Sequence, residues 1–159
     1  MALQVAVGSD KVFFPGSTGY NASATTYFAQ QEGALSPYCY VKPTRAQDVS
    51  DAVVALRAVN AVATCPFAVR GAGHHTVPGI ANINSGVTID LGYINSTTLS
   101  SNKSLAYVGS GARWGSVYAT LGAEGLAVLG GRESDIGVGG LTTGGKTAAS
   151  RPGLVASGY

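Results

Sequence analysis

The sequence predicts an α+β domain built from small mixed sheets with flanking helices, and three observations favour this fold class. Segments typical of strands and of helices follow one another in the order strand, helix, several strands, helix, strand. Apolar residues make up 45% of the 159 residues and charged residues only 11%, which suits a buried core and argues against extended disorder. Glycine is abundant at 23 residues, which indicates many turns between short elements.

Two segments are predicted along the chain. Residues 1–37 are expected to be loop-rich because Gly and Pro interrupt them repeatedly. Residues 38–159 are expected to hold the regular elements, with no linker that divides them further. Apolar and β-branched runs bounded by turn residues predict strands at Tyr38–Val41, Phe67–Arg70, Val87–Leu91, Leu105–Val108 and Leu126–Leu129.

Helical periodicity predicts two helices. The first follows Thr44–Gln47, which resembles a capping box with the Thr44 hydroxyl at the N-cap. The second spans Trp114–Ala123, and Trp114 and Tyr118 are expected to join the core from its apolar face. The apolar residues that define one face of the first helix are Val49, Ala52, Val53, Leu56 and Val59.

Composition also excludes several classes of function. The net charge is only +2 and no Lys/Arg stripe is present, so neither nucleic acid nor a membrane is expected as a partner. No apolar run approaches the roughly 20 residues of a membrane-spanning helix. Two adjacent histidines and two distant cysteines are too few for a zinc site, so no metal is expected.

The cellular compartment is left open by the sequence. Cys39 and Cys65 either pair in an oxidising compartment or stay thiols. Glycosylation sequons at Asn21, Asn95 and Asn102 are typical of a secretory chain. The first residues, however, lack the basic segment of a signal peptide.

The turn after Phe67–Arg70 carries the clearest functional pattern. Gly71 and Gly73 allow the backbone to turn with its N–H groups facing one way, which forms a nest for a pyrophosphate, and Arg70 can add positive charge. A ligand held in this nest would lie beside His74, whose imidazole is a competent nucleophile. The alternative is that His74 and His75 are ordinary exposed turn residues.

The segment Arg70–His74 reads Arg-Gly-Ala-Gly-His and resembles the Arg-x-Gly-Gly-His loop of berberine-bridge-enzyme-like flavoproteins. These proteins belong to the vanillyl-alcohol-oxidase superfamily, which has a PCMH-type FAD-binding domain. Four further segments resemble the same family in the same order. Their residues are most similar to those of its fungal members. They are residues 35–43, 86–91, 108–118 and 130–141.

The resemblance implies an FAD-linked oxidoreductase of secondary metabolism, in which a small organic substrate loses a hydride to the flavin and oxygen reoxidises the flavin. His74 matches the histidine that members bond to the 8α carbon of the flavin. The turn is expected to cradle the FAD pyrophosphate, and the tract Gly130–Leu141 to pass close to the flavin through backbone groups. The implied cofactor-binding residues are Arg70, Gly71, Ala72, Gly73, His74, His75, Gly79, Gly130, Gly131, Ser134, Ile136, Gly137, Gly139, Gly140 and Leu141.

The sequence also departs from the family pattern. Glu133 stands where some members carry a cysteine that forms a second flavin bond, so at most single attachment is expected. Ala72 replaces a usual glycine, which is a mild change unless the position needs a positive φ. After Gly145 the resemblance ends, so residues 38–159 are expected to be a partial, apparently truncated FAD-binding domain, and no catalytic residue is predicted. The alternative is a non-catalytic remnant or partial flavin-binding module.

A second motif competes with this interpretation. Gly140–Thr147 fits the P-loop pattern of nucleotide-binding proteins, which makes a P-loop nucleotide binder the third alternative. The residues before it are too rich in glycine for the strand that a P-loop requires, and Arg151–Gly153 would break the helix that should follow. The nearby charged residues Arg132, Glu133 and Asp135 are expected to form a solvated loop rather than a catalytic cluster.

Overall fold

The computed structural model describes residues 2–61 and 63–145. Helices and short strands alternate along this part of the chain, which confirms the α+β fold class. The strands are β1 (Val12–Phe13), β2 (Cys39–Val41), β3 (Phe67–Arg70), β4 (Val87–Asp90), β5 (Thr97–Leu99) and β6 (Ala106–Val108). The helices are α1 (Ala2–Val7), α2 (Thr18–Ala24), α3 (Gln30–Gly33), α4 (Ala46–Asn60), α5 (Trp114–Ala123) and α6 (Val138–Thr143).

The strands form two sheets. The first has the order β1-β2-β4-β3, with β1 antiparallel to β2 and the other neighbours parallel. The second is the antiparallel pair β5-β6. In the first sheet the carboxyl ends of β2, β3 and β4 therefore lie along one edge, which is where ligands bind in open sheets with parallel strands.

Two hydrophobic clusters support these sheets. The first joins one face of the four-stranded sheet to α1 and α4, through residues such as Val7, Leu56 and Ile89. The second surrounds α5 and contains Ala112, Trp114, Val117 and Leu121. Trp114 and Tyr118 stack with ring centroids 5.7 Å apart, which confirms that this face of α5 belongs to the core.

The prediction that residues 1–37 are loop-rich is wrong, because the segment contains three helices and a strand. Its Gly and Pro residues separate short helices instead of preventing them. The Ser17 hydroxyl, directly after Pro15-Gly16, caps α2 by accepting a hydrogen bond from the Tyr20 N–H at 3.3 Å. The segment also supplies Val7 to the core and β1 to the sheet. The proposed division at residue 37 stays a prediction.

The start of α4 differs from the predicted capping box. Arg45, not Thr44, is the N-cap, and its side chain makes no capping bond. The Asp48 carboxylate instead accepts hydrogen bonds from the Thr44 N–H and hydroxyl, both at 3.0 Å. Gln47 is exposed and donates to Asp51 at 2.8 Å. The Asp48 carboxylate organises the start of α4 because it is buried and also pairs with Lys11 at 3.0 Å.

Asp48 makes the stability of the protein depend on pH. Burial alone would raise the pKa of its carboxyl, but hydrogen bonds from Thr44, Lys11 and Arg45 outweigh burial and hold the pKa below its usual range. The contribution of Asp48 to stability is therefore present above pH ~4, the ordinary Asp pKa, and is lost as pH falls toward the lower pKa of the folded state.

We expect Asp48→Asn to lower the free energy of unfolding by about 1–2 kcal/mol at pH 7, since a charged hydrogen-bond acceptor is lost. The loss should shrink at acidic pH, where the wild-type carboxyl is itself protonated. Urea unfolding at neutral and acidic pH measures both effects. Asp51→Asn, the same substitution at the exposed end of a single Gln47 hydrogen bond, is the control. An equal pH dependence of stability in wild type and Asp48→Asn would contradict the expectation.

The remaining strand predictions are mostly confirmed, with two exceptions. The strand β5 was missed because its residues Thr97–Leu99 lie in a polar, turn-rich stretch. The predicted strand at Leu126–Leu129 is wrong, since these residues pair with no strand of the described chain. Leu126 and Val128 pack on the second cluster, so the alternating pattern that suggested a strand reflects alternating burial without backbone pairing.

Both cysteines are free thiols, so the disulfide alternative is not observed. Burial, together with the neighbouring Cys65, raises the pKa of the Cys39 thiol to about 11. None of the helices in residues 2–61 and 63–145 is long and apolar enough to cross a membrane.

Candidate cofactor site

A cleft of about 670 Å³ opens at the carboxyl edge of the four-stranded sheet. Its lining includes residues within two positions of the ends of three parallel strands: Lys42 after β2, Gly71 and Ala72 after β3, and Gly92 after β4. Helix α2 and the segments 111–116 and 134–135 form the other walls. The volume lies within the usual range of sites for small molecules and cofactors.

The turn after β3 has the geometry that its glycines predict. Gly73 has a φ of +70°, and a Cβ there would lie 2.7 Å from Arg70 Nε and 3.0 Å from Tyr27. The Gly73 carbonyl accepts a hydrogen bond from the Phe28 N–H at 3.0 Å, which ties the turn to the N-terminal segment. Ala72 is not among the residues with positive φ, so its replacement of a family glycine is tolerated.

Arg70 lines the cleft, but its charge is largely committed elsewhere. Its guanidinium donates to the Ser23 carbonyl at 2.6 Å and to the Thr26 carbonyl and hydroxyl at 3.0 and 2.7 Å. It also lies 3.7 Å from the Asp90 carboxylate and 3.9 Å from the centre of the Tyr27 ring. Arg70 therefore fastens α2 to the sheet, and its positive charge is paired before any ligand arrives.

His74 and His75 have different surroundings. The His74 ring stacks on Phe28, with centroids 4.0 Å apart. Its Nδ1 atom is buried without a hydrogen-bond partner among the described residues. His75 is exposed, and its Nδ1 accepts a hydrogen bond from the Val77 N–H at 3.0 Å, as expected of an ordinary turn residue. His74 does not line the cleft itself but lies next to the turn that does.

The glycine-rich tract from Gly130 packs tightly against the segment that leads into α5. The Trp114 and Gly115 N–H groups donate to the Ile136 and Ser134 carbonyls at 3.0 and 2.9 Å. A Cβ at Gly137 would lie 2.8 Å from the Ala72 backbone nitrogen, and one at Gly139 would lie 2.6 Å from the Ser110 carbonyl. Contacts within the chain, rather than a ligand alone, thus require these glycines.

Arg113 was missed in the sequence and joins the two predicted halves of the site. Its guanidinium donates to the Ala72 carbonyl at 3.1 Å and to the Asp135 carbonyl at 2.5 Å. It therefore holds the turn after β3 against the glycine-rich tract. The available signal was its position in Gly111-Ala-Arg-Trp114, directly before a helix whose apolar face was already recognised.

The structure brings most of the predicted site residues together and leaves a few at the surface. Gly71, Ala72 and Ser134 line the cleft. Gly130, Gly131 and Leu141 pack around Trp114. Ile136 also packs in that cluster, Gly140 lies near Gly71, and Gly79 is exposed, with a φ of +91°.

The competing motifs are not supported. Residues Val138–Thr143 form a helix where a P-loop would have an open loop, so that interpretation is wrong for this part of the motif. Lys146 and Thr147 lie outside the described residues. Arg132, Glu133 and Asp135 are exposed, and Glu133 accepts hydrogen bonds from Ser134 and the Asp135 N–H, as expected of a solvated loop. Within residues 2–61 and 63–145, no three metal-ligating side chains come together.

Comparison with known proteins identifies the family. The family model described as "FAD binding domain" matches residues 37–156. The chain belongs to the FAD-binding domain family. The residues present fit the FAD of this family, because the cleft has a size usual for cofactor sites and His74 Nδ1 is buried without a hydrogen-bond partner in the part of the chain that the structure describes.

Individual relatives agree with this assignment. The chain is 45% identical over 155 residues to the FAD-dependent monooxygenase sdcF of Emericella nidulans, which covers 96% of this chain and 32% of that protein. The structure of 6-hydroxy-D-nicotine oxidase from Arthrobacter nicotinovorans superposes with a TM-score of 0.70 at 26% identity, over 82% of this chain and 27% of that one.

A third relative supports the fold. The berberine-bridge-enzyme-like (BBE-like) protein 1 of Physcomitrella patens superposes with a TM-score of 0.68 at 23% identity, over 87% of this chain and 30% of that one. These structures share the fold of the FAD-binding domain described here. The chain spans about a third of the length of the relatives that it matches.

Proposed function

We propose that the protein is an FAD-linked oxidoreductase that oxidises a small organic substrate and attaches its flavin through His74. The observation that carries this proposal is the position of His74. It follows the glycine turn at the edge of the cleft in a chain that belongs to the FAD-binding domain family. The relative from Emericella nidulans is named a monooxygenase and the Arthrobacter protein an oxidase, and both names describe the oxidation of a substrate.

The residues of this chain would hold the cofactor in three ways. The turn after β3, of which Gly71 and Ala72 line the cleft, would offer backbone N–H groups to an anionic phosphate. Arg113 holds that turn against the glycine-rich tract by donating hydrogen bonds to one carbonyl of each. When bound, FAD supplies the redox chemistry by accepting a hydride from the substrate and passing electrons to oxygen.

His74 is suited to attachment by its surroundings. Its Nδ1 has no hydrogen-bond partner in the described chain, so its lone pair or proton is not engaged by the protein. Stacking on Phe28 restricts the rotation of the ring and holds its plane in place. A nucleophilic nitrogen that is both oriented and unengaged is what bond formation to a fixed carbon requires.

We expect His74→Ala to abolish covalent flavin while His75→Ala retains it. The protein is expressed from its complete reading frame, denatured in acid, and analysed for flavin fluorescence on a denaturing gel and for the added mass of FAD. His75 is the matched control because it is the neighbouring histidine, is exposed and bonds only within its own turn. Flavin that survives denaturation in His74→Ala would contradict attachment at this residue. A wild-type protein without any flavin would contradict the function.

The same purified protein distinguishes the proposed oxidoreductase from a non-catalytic flavin-binding module. Reduction of the bound flavin by a panel of small organic alcohols and amines is followed by the loss of its visible absorbance. A flavin-bearing protein that no substrate reduces would favour the module.

A further inference from the structure

Lys42 carries a positive charge in the cleft that no ion pair among the described residues neutralises. It directly follows β2 and lines the cleft, yet only 7% of the residue is exposed. Its ammonium forms no ion pair with any carboxylate in the part of the chain that the structure describes. The sequence contained a signal for it, namely a charged residue at the end of a strand that is buried throughout.

Arg70, Asp90 and Arg113, which also line the cleft, are bound to other groups of the protein. Arg70 is bound to α2 and Asp90. Asp90 also accepts hydrogen bonds from the Ser23 hydroxyl at 2.7 Å and the Gly92 N–H at 3.0 Å. Arg113 donates to two backbone carbonyls and forms no ion pair among the described residues. Asp135 lines the cleft and is exposed. Among the described residues, the Lys42 ammonium is thus the cation of the cleft that makes neither an ion pair nor a hydrogen bond.

The surroundings of Lys42 hold its ammonium in place without neutralising it. Its nitrogen lies 4.4 Å from the centre of the Tyr93 ring and 5.8 Å from that of Phe13. An aromatic face attracts a cation but carries no net charge, so it offsets only part of the cost of removing an ammonium from water. An anion bound in the cleft would offset the remaining cost of desolvating the ammonium.

We propose that Lys42 is a phosphate-binding residue of the cleft and pairs with a phosphate of FAD. The inference rests on the proposed function, because that function supplies the ligand. It follows from the convergence of two groups that favour an anion: the backbone nest after β3 and the ammonium after β2 line the same cleft. Arg113 also lines the cleft without an ion pair among the described residues, but its guanidinium is already held by the Ala72 and Asp135 carbonyls.

The test compares ligands with and without phosphate. Lys42→Met removes the charge and keeps an unbranched apolar stem, and Lys42→Arg keeps the charge. Both are made in the His74→Ala background so that flavin stays exchangeable, and the apoproteins are titrated with FAD, ADP and riboflavin by calorimetry. Lys103→Met is the matched control, because Lys103 is exposed and pairs with Glu124 at the surface. Circular dichroism checks that each variant is folded.

We expect Lys42→Met to weaken FAD and ADP binding about tenfold to a hundredfold, as for the loss of one charged hydrogen bond. Riboflavin binding should be unchanged, Lys42→Arg should recover part of the loss, and Lys103→Met should bind all three ligands as the parent does. Equal FAD affinity in Lys42→Met and the parent would overturn the inference, as would an equal loss for riboflavin. A parent protein that binds none of the three ligands would overturn the proposed function and this subsite with it.

Discussion

Replacing Trp114 by Ala is expected to lower the free energy of unfolding by about 3–5 kcal/mol, the usual cost of removing a large aromatic side chain from a core. Trp114 is only 8% exposed and lies in the centre of the second hydrophobic cluster. Its ring also fills the space that side chains at Gly130 and Gly131 would occupy, since a Cβ there would come within 2.1 and 2.5 Å of it. The substitution leaves a cavity between α5 and the glycine-rich tract.

Urea unfolding monitored by circular dichroism measures this effect. Tryptophan fluorescence cannot be used, because Trp114 is the single tryptophan. Trp114→Phe should lose less stability, since it retains part of the ring. Val54→Ala is the control: Val54 is 65% exposed on α4, so the change should stay within about 0.5 kcal/mol. If Trp114→Ala were no less stable than Val54→Ala, the second cluster would not be a core.

Gly137→Ala is expected to destabilise the protein by about 2–3 kcal/mol, toward the upper end of the usual destabilisation caused by overpacking a core. The added Cβ would lie 2.8 Å from both Cβ and the backbone nitrogen of Ala72. A backbone atom cannot rotate away as a flexible side chain can, so the turn after β3 must move. Gly137 has a φ of −73° and a ψ of 139°, which suit any residue, so the effect is one of contact rather than of backbone conformation.

Gly140→Ala provides the matched comparison for this prediction. It is the same substitution three residues later, in α6, and a Cβ there would meet nothing within 4 Å. We expect it to be neutral or to stabilise the helix by up to about 1 kcal/mol. Thermal unfolding of the two variants side by side measures the difference. Equal melting temperatures for Gly137→Ala and Gly140→Ala would contradict the close approach of the tract to the turn.

The sequence predicted elements well where local pattern and burial agree. Helix α5 begins and ends where its periodicity predicted, because Trp114, Val117 and Leu121 lie on one face and all face the core. The segment Leu126–Leu129 has a comparable apolar pattern but pairs with no strand within residues 2–61 and 63–145. Periodicity reports which residues are buried, whereas a strand also needs a hydrogen-bonding partner, and the partner is a property of the tertiary structure.

For the candidate site, the sequence predicted the local turn but not the contacts between distant residues. The turn after β3 and the position of His74 followed from adjacent residues and from the family resemblance. Arg113 and Lys42 did not, since each acts on atoms that are distant in sequence: the Ala72 carbonyl lies 41 residues before Arg113. Arg70 shows the opposite case. Its position in the motif was recognised, but only packing revealed that Ser23, Thr26 and Asp90 already use its charge.

By itself the sequence determined the fold class, the family resemblance and the turn that carries His74, because these depend on residue types at fixed spacing within short segments. Tertiary structure alone decided that the glycines after residue 129 are needed for contacts with Trp114, Ala72 and Ser110. It also decided that Arg70 is neutralised and Lys42 is not. The physical reason is that the side chain's rotamer and its distant neighbours determine whether a charge is paired, and short segments of sequence do not specify either one.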